Sequence, residues 1–238
     1  MIRTERLAAS PDRDGMLQEV HDRVCIEPGD VNAYVQLAQI VEWLNAEGYG
    51  EALGDQVEYW KSAPYLLNFM EGYKLKQLFD EVAPALHRGK RQAKELSRRL
   101  SSAKDTLLSW PRIQKYAEVE PGNPRLRALW EDVLSFQGCE LWRLLWIPPC
   151  VPYYRLGGVF GHAVLSKYTK RLIFSNWRVV PKAIAGLTSY AAERQMFLSL
   201  DKNAKNTPEA RERRARLLEF SRSQGRLTGM PVLGLIYP

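Results

Sequence analysis

No apolar run in the 238 residues approaches the roughly 18–20 needed to cross a bilayer. The opening Met1-Ile2-Arg3-Thr4-Glu5-Arg6 lacks the apolar h-region of a secretory signal. Cysteine is scarce: Cys25, Cys139 and Cys150 are an odd number without C-x-x-C spacing. That pattern argues against a disulfide framework or zinc site and fits a reducing cytoplasm. His21, His87 and His162 stand alone, so the H-E-x-x-H zinc motif is absent. There is no internal repeat and no low-complexity stretch. What the chain does have is a globular composition, 45% hydrophobic and 26% charged. A chain of this length can bury about 70–75% of its unfolded surface.

Charge is divided unevenly along it. The net charge is +7, yet residues 1–87 hold 7 basic and 15 acidic side chains, leaving +15 for residues 88–238. The excess lies in 88–104 (net +6), 163–182 (net +5, without an acid) and 201–226 (net +4). A solvated helix face explains any one run; three in one half of the chain suggest a surface turned toward a polyanion.

Hydrophobic spacing predicts mostly helices up to residue 150. Pro28-Gly29-Asp30 reads as a turn, followed by a helix with Tyr34, Leu37, Ala38, Val41 and Leu44 on one face and Gly48 and Gly50 at its end. Helices are expected again over 65–70 and 73–86. A basic helix is expected over 90–108, with Leu96, Leu100, Ala103 and Leu107 as its apolar stripe and Arg91, Lys94, Arg98 and Arg99 on the remainder. Asn123-Pro124 supplies an N-cap and a proline for the first helical position. Beyond residue 140 the character changes. Residues 141–147 are nearly all apolar, and Lys-Arg-Leu-Ile-Phe-Ser at 170–175 reads as a buried strand. A helix is expected from Pro181, a basic helix over 208–223 and a strand near 231–237. The fold class is therefore mainly α with a partial α/β portion at the C-terminal end.

Familiar catalytic motifs fail on context. Gly48, Gly50 and Gly54 miss the G-x-G-x-x-G spacing by one residue, and Gly89-Lys90 is followed by Arg91 where a Walker A needs Ser or Thr. Asp80-Glu81 sits in a helical pattern and reads as a solvated face. G-x-S-x-G is absent.

Residues 170–194, an apolar strand candidate ending in Phe174-Ser175 and leading to a helix, resemble the opening of the second RecA-like lobe of superfamily-two helicases. More closely, the chain resembles a bacterial branch of large Swi/Snf-related helicases with a helical insertion between the motor lobes. The stretches carrying that likeness are Met1 to Arg6 with Asp12 to Met16, Tyr59 to Tyr65 with Asn68 to Met70, Trp146 to Pro149 with Pro152 to Tyr154, and Gly225 to Met230 with Tyr237-Pro238. The resemblance implies that 1–20 is the tail of a first motor lobe, 21–150 a helical inter-lobe insertion, and 151–238 the incomplete start of a second lobe.

It also implies ATP-dependent movement on, or remodelling of, nucleic acid, with DNA the expected form. The phosphate- and magnesium-binding residues would precede Met1, and the arginine finger would follow Pro238. ATP and magnesium would therefore belong to the parent protein, and this segment would be catalytically silent alone. The partners would be nucleic acid and the remaining motor lobes, with no membrane. A motor contacts phosphates rather than reading bases. The expected contacts are Ser175, Asn176, Arg178 and Lys170 at the motif, and Arg91, Lys94, Arg98 and Arg99 on the basic helix. The bland reading of Ser175 and Asn176 is that they satisfy turn amides; Trp177 reads as a packing residue. Two other readings stay open: a self-standing helical adaptor for nucleic acid or an acidic partner, and a structural module whose acidic first 87 residues dock on its basic half.

Overall fold

Glu27 and Asp30 open the first helix with a reciprocal cap: the Glu27 backbone N–H donates to Asp30 Oδ2 at 2.9 Å, and the Glu27 side chain accepts from the Asp30 amide. A computed structural model describes residues 24–49, 60, 62–87, 91–135, 138–145, 171–213, 221–223 and 226–228. Helix α1 spans Pro28–Leu44, so Pro28-Gly29-Asp30 is its first turn rather than a separate one. Proline suits the first helical position, where its missing N–H costs nothing. A π-helical turn, Asn45–Tyr49, ends α1 at Gly48, whose φ of 88° favours glycine.

Next come α2 (Leu66–Phe69), α3 (Lys74–His87) and α4 (Arg91–Ser102). The short α5 (Trp110–Gln114) and α6 (Pro124–Val133) follow. The cap expected at Asn123 is present: its buried side chain accepts the Leu126 amide at 2.7 Å. Leu141–Leu144 forms a 3-10 turn, α7 runs Val179–Leu200 and α8 covers Pro208–Glu212. Two three-residue strands, β1 (Ser221–Ser223) and β2 (Arg226–Thr228), pair antiparallel with Ser223 opposite Arg226. The described chain is mainly helical, as the spacing predicts.

Among the described residues three apolar clusters form the core. In the largest, Leu37, Val41 and Leu44 of α1 meet Ala93 and Leu96 of α4 and Val179, Val180 and Ala183 of α7. A second joins Val133, Leu134 and Trp142 to Ala192, and a third joins Tyr65 and Leu126 to Leu187. Burying one such leucine stabilises the fold by about 1.5–3 kcal/mol. A buried ion pair ties α1 to α6: Arg127 Nη2 donates to Asp30 Oδ1 at 3.0 Å, with the Asp30 side chain 2% exposed.

Three expectations require correction. Residues 171–175 form no strand; Leu172 and Phe174 are 80% and 88% exposed. A strand needs a neighbour to satisfy its backbone, and the candidate at 141–147 instead begins with the 3-10 turn that packs on α7. The other candidate, 231–237, lies outside the described residues, as do Lys170 and 146–169. The expected basic helix over 208–223 ends at Glu212, and its last three residues are strand β1. The basic helix expected over 90–108 is shorter too, because Ala103 begins a turn closed by Thr106 N–H donating to the Ala103 carbonyl at 3.3 Å.

Candidate nucleic-acid interface

Helix α4 has one apolar side and one cationic side. Ala93, Leu96 and the partly buried Leu100 face the core, which leaves Arg91, Lys94 and Arg98 on the solvent side. Positions i, i+3 and i+7 share a helix face, so these three cations form a row. Opposite stands the end of α1, contributing Trp43, with Glu47 from the turn that follows. Together they enclose an open groove of about 1030 Å³. Gln92 Nε2 donates to Glu47 Oε2 at 2.7 Å and fastens the turn to α4.

Within the groove Glu95 holds two arginines. Arg98 Nε and Nη2 donate to its two oxygens at 2.8 and 2.6 Å. Arg99 Nε lies 2.8 Å from Glu95 Oε1, and its guanidinium sits over the Trp43 ring, 5.6 Å from the centroid. The hydrogen bond from Arg98, more than the nearby positive charges, pulls the Glu95 carboxyl down to about 2. Arg91 and Lys94 make no ion pair among the described residues. Among the described residues the groove thus carries four cations against two carboxylates. A second cleft, about 1010 Å³ and bordered by α3 and α4, has six acidic and four basic side chains on its walls. Its charge balance suits a polyanion poorly.

The structure brings together the four predicted cations of α4. Ser175, Asn176 and Arg178 precede α7, and none of them lines this groove. Ser175 Oγ accepts the Trp177 amide at 3.1 Å, so its hydroxyl satisfies a turn. Asn176 and Arg178 are exposed. Trp177 packs as expected, stacked on Tyr73 with 6.0 Å between centroids and 6° between planes. Tyr73 Oη accepts the Val179 amide at 3.4 Å, and Lys182 pairs with Glu71. Asp80 and Glu81 lie on the exposed side of α3, as their helical context predicts, with Asp80 paired to Lys76.

Sequence reasoning misses Trp43, Glu47 and Gln92. The available signal was an aromatic residue at 43 outside the apolar stripe of α1, one turn before the glycine that ends it. Among the described residues no group of three His, Cys, Asp or Glu side chains can hold a metal ion, and no helix is long and apolar enough to cross a membrane. No protein-family model, curated protein or solved structure matches the chain.

Proposed function

We propose that this chain is a nucleic-acid-gripping region of an ATP-dependent helicase or translocase, with the α4 groove contacting backbone phosphates. The observation that carries the reading is the row of Arg91, Lys94 and Arg98 on a helix whose opposite side is fixed in the core. Cations on a rigid helix meet a phosphate chain without first having to be ordered. The motor context rests on the likeness of 170–194 to a helicase lobe. The sequence contains no Walker A, so no step of ATP chemistry is assigned to this chain's residues.

The absence of a strand at 171–175 favours a second reading, a helical adaptor that binds nucleic acid without ATP. Both readings share the binding test. The 238-residue chain should bind fluorescein-labelled dT20 and a 20-base-pair duplex with little sequence preference, and log affinity should fall linearly with log salt. R91A/K94A removes two contacts and should flatten that slope by about 1.4–1.8. An unchanged slope refutes the groove as the contact. The two readings separate in the flanking coding sequence: a motor requires G-x-x-x-x-G-K-[ST] and D-E-x-x encoded upstream in frame, and an adaptor does not.

A further inference from the structure

The carboxylate of Glu95 occupies the position between two guanidiniums that a phosphate oxygen would take. Arg98 offers it a two-pronged contact through Nε and Nη2, the geometry arginine uses for both carboxylates and phosphates. Arg99 closes the other side and is steadied by the Trp43 ring. Half of the groove's four cations are therefore engaged by an anion of the chain itself.

We propose that Glu95 is a built-in competitor for the phosphate seat formed by Arg98 and Arg99, and that it sets how tightly and how selectively the groove holds nucleic acid. The inference rests on the α4 groove being the phosphate contact. Three features support it. First, Glu95 lies on the same helix, three and four residues from its partners, so it can release them by rotamer change without any backbone motion. Second, the Arg98 side of the seat is solvated, with Arg98 68% exposed against 30% for Arg99, and exposed ion pairs are held weakly. A polyanion that releases counterions on binding can displace such a carboxylate; one isolated phosphate gains far less. Third, Arg91 and Lys94 remain available to make the first contact, before the seat at Arg98 and Arg99 opens. Glu95 thus raises the charge density a ligand must present and biases the groove toward continuous phosphate chains over single phosphates or acidic side chains. The guard is not released by mild acid, because the arginines themselves keep the carboxyl ionised.

The test compares wild type, E95Q and R98A/R99A with and without E95Q, using fluorescein-dT20 across 50–200 mM salt and inorganic phosphate as a competitor. Removing one opposing charge beside two cations should tighten dT20 binding about three- to tenfold near 0.1 M salt. It should also steepen the salt slope by about 0.7–0.9, the contribution of one phosphate contact. Phosphate should compete better against E95Q than against wild type. In the R98A/R99A background E95Q should change nothing. Equal or weaker binding by E95Q would overturn the proposal and make Glu95 an orienting partner of the arginines. The same gain without Arg98 and Arg99 would overturn it too, since only the overall charge would then matter. If R91A/K94A leaves wild-type binding intact, the groove reading fails and takes the proposal with it; if R91A/K94A weakens binding and E95Q does not tighten it, the groove reading stands and the proposal alone fails. Binding by none of the proteins refutes both. Circular dichroism of each variant checks that α4 is retained.

Discussion

Replacing Arg127 by methionine keeps most of the side-chain stem and removes the charge, which isolates the cost of leaving Asp30 alone. In the intact fold Arg127 reaches Asp30 Oδ1 at 3.0 Å and Oδ2 at 3.2 Å, the Cys25 carbonyl at 2.9 Å and Glu27 at 3.0 Å. The Asp30 side chain is 2% exposed, whereas that of Arg127 is 21% exposed. Breaking a buried pair by removing one partner costs about 3–5 kcal/mol, because the remaining charge is uncompensated. The lower figure, about 3 kcal/mol, is expected here, since the Glu27 amide still donates to Asp30 and water reaches the arginine end. For a chain of this size, that corresponds to a fall in Tm of about 6–12 °C. D30N/R127M removes both charges and should recover most of the loss. Thermal unfolding followed at 222 nm, with urea titration as a second measure, reads both variants. A loss under about 1 kcal/mol for R127M would place the pair with ordinary surface ion pairs. A double variant no more stable than R127M would show that packing of the stem matters and the charge does not. Either result refutes the reasoning.

Two further outcomes follow from the backbone and from buried hydroxyls. Gly122 has φ +71°, and a Cβ there would lie 2.8 Å from Pro64 Cβ, so G122A should lose about 1–3 kcal/mol in a urea titration, whereas G138A, with equal strain but open space, should lose less. Burial, with Glu120 nearby, pushes the Tyr65 phenol up to about 12, and burial does the same at Tyr190. A folded pKa above the unfolded value of 10 means that stability is full below pH 10 and declines as pH rises toward 12. Absorbance at 295 nm should therefore show these two tyrosines ionising together with alkaline unfolding, and their titration near pH 10 in a still-folded chain would contradict that.

Local chemistry was legible in the sequence, and pairing between distant segments was not. Asn123-Pro124 announced α6 because a cap and an N1 proline act within one turn. The expected stripe of the basic helix was right in part: Leu96 and Leu100 face the core, whereas Ala103 is buried in the turn after α4, Leu107 lies beyond the helix, and the buried Ala93 was not in the stripe. The apolar Leu172-Ile173-Phe174 has a strand-like composition, but a strand exists only with a partner, and composition says nothing of partners. The cations of the candidate interface were visible as a charge run. Its other wall, Trp43 and Glu47, comes from a helix about fifty residues earlier and is brought there only by packing of α1 on α4. Glu95 reads in sequence as one acid in a basic run, and its hold on two arginines follows from helical spacing.

Helix α7, 22 residues long, lends Val179, Val180 and Ala183 to the first apolar cluster, Leu187 to the third and Ala192 to the second. At 1.5 Å per residue it is a rod of about 33 Å. Among the described residues the second and third clusters hold four and three buried side chains. Strung on one rod they share a fate: the helix cannot fray at one cluster without loosening its grip on the next. The three clusters are thereby coupled through one helix, and a pull applied where α7 begins is felt at its far end through the hydrogen-bonded backbone rather than through loops.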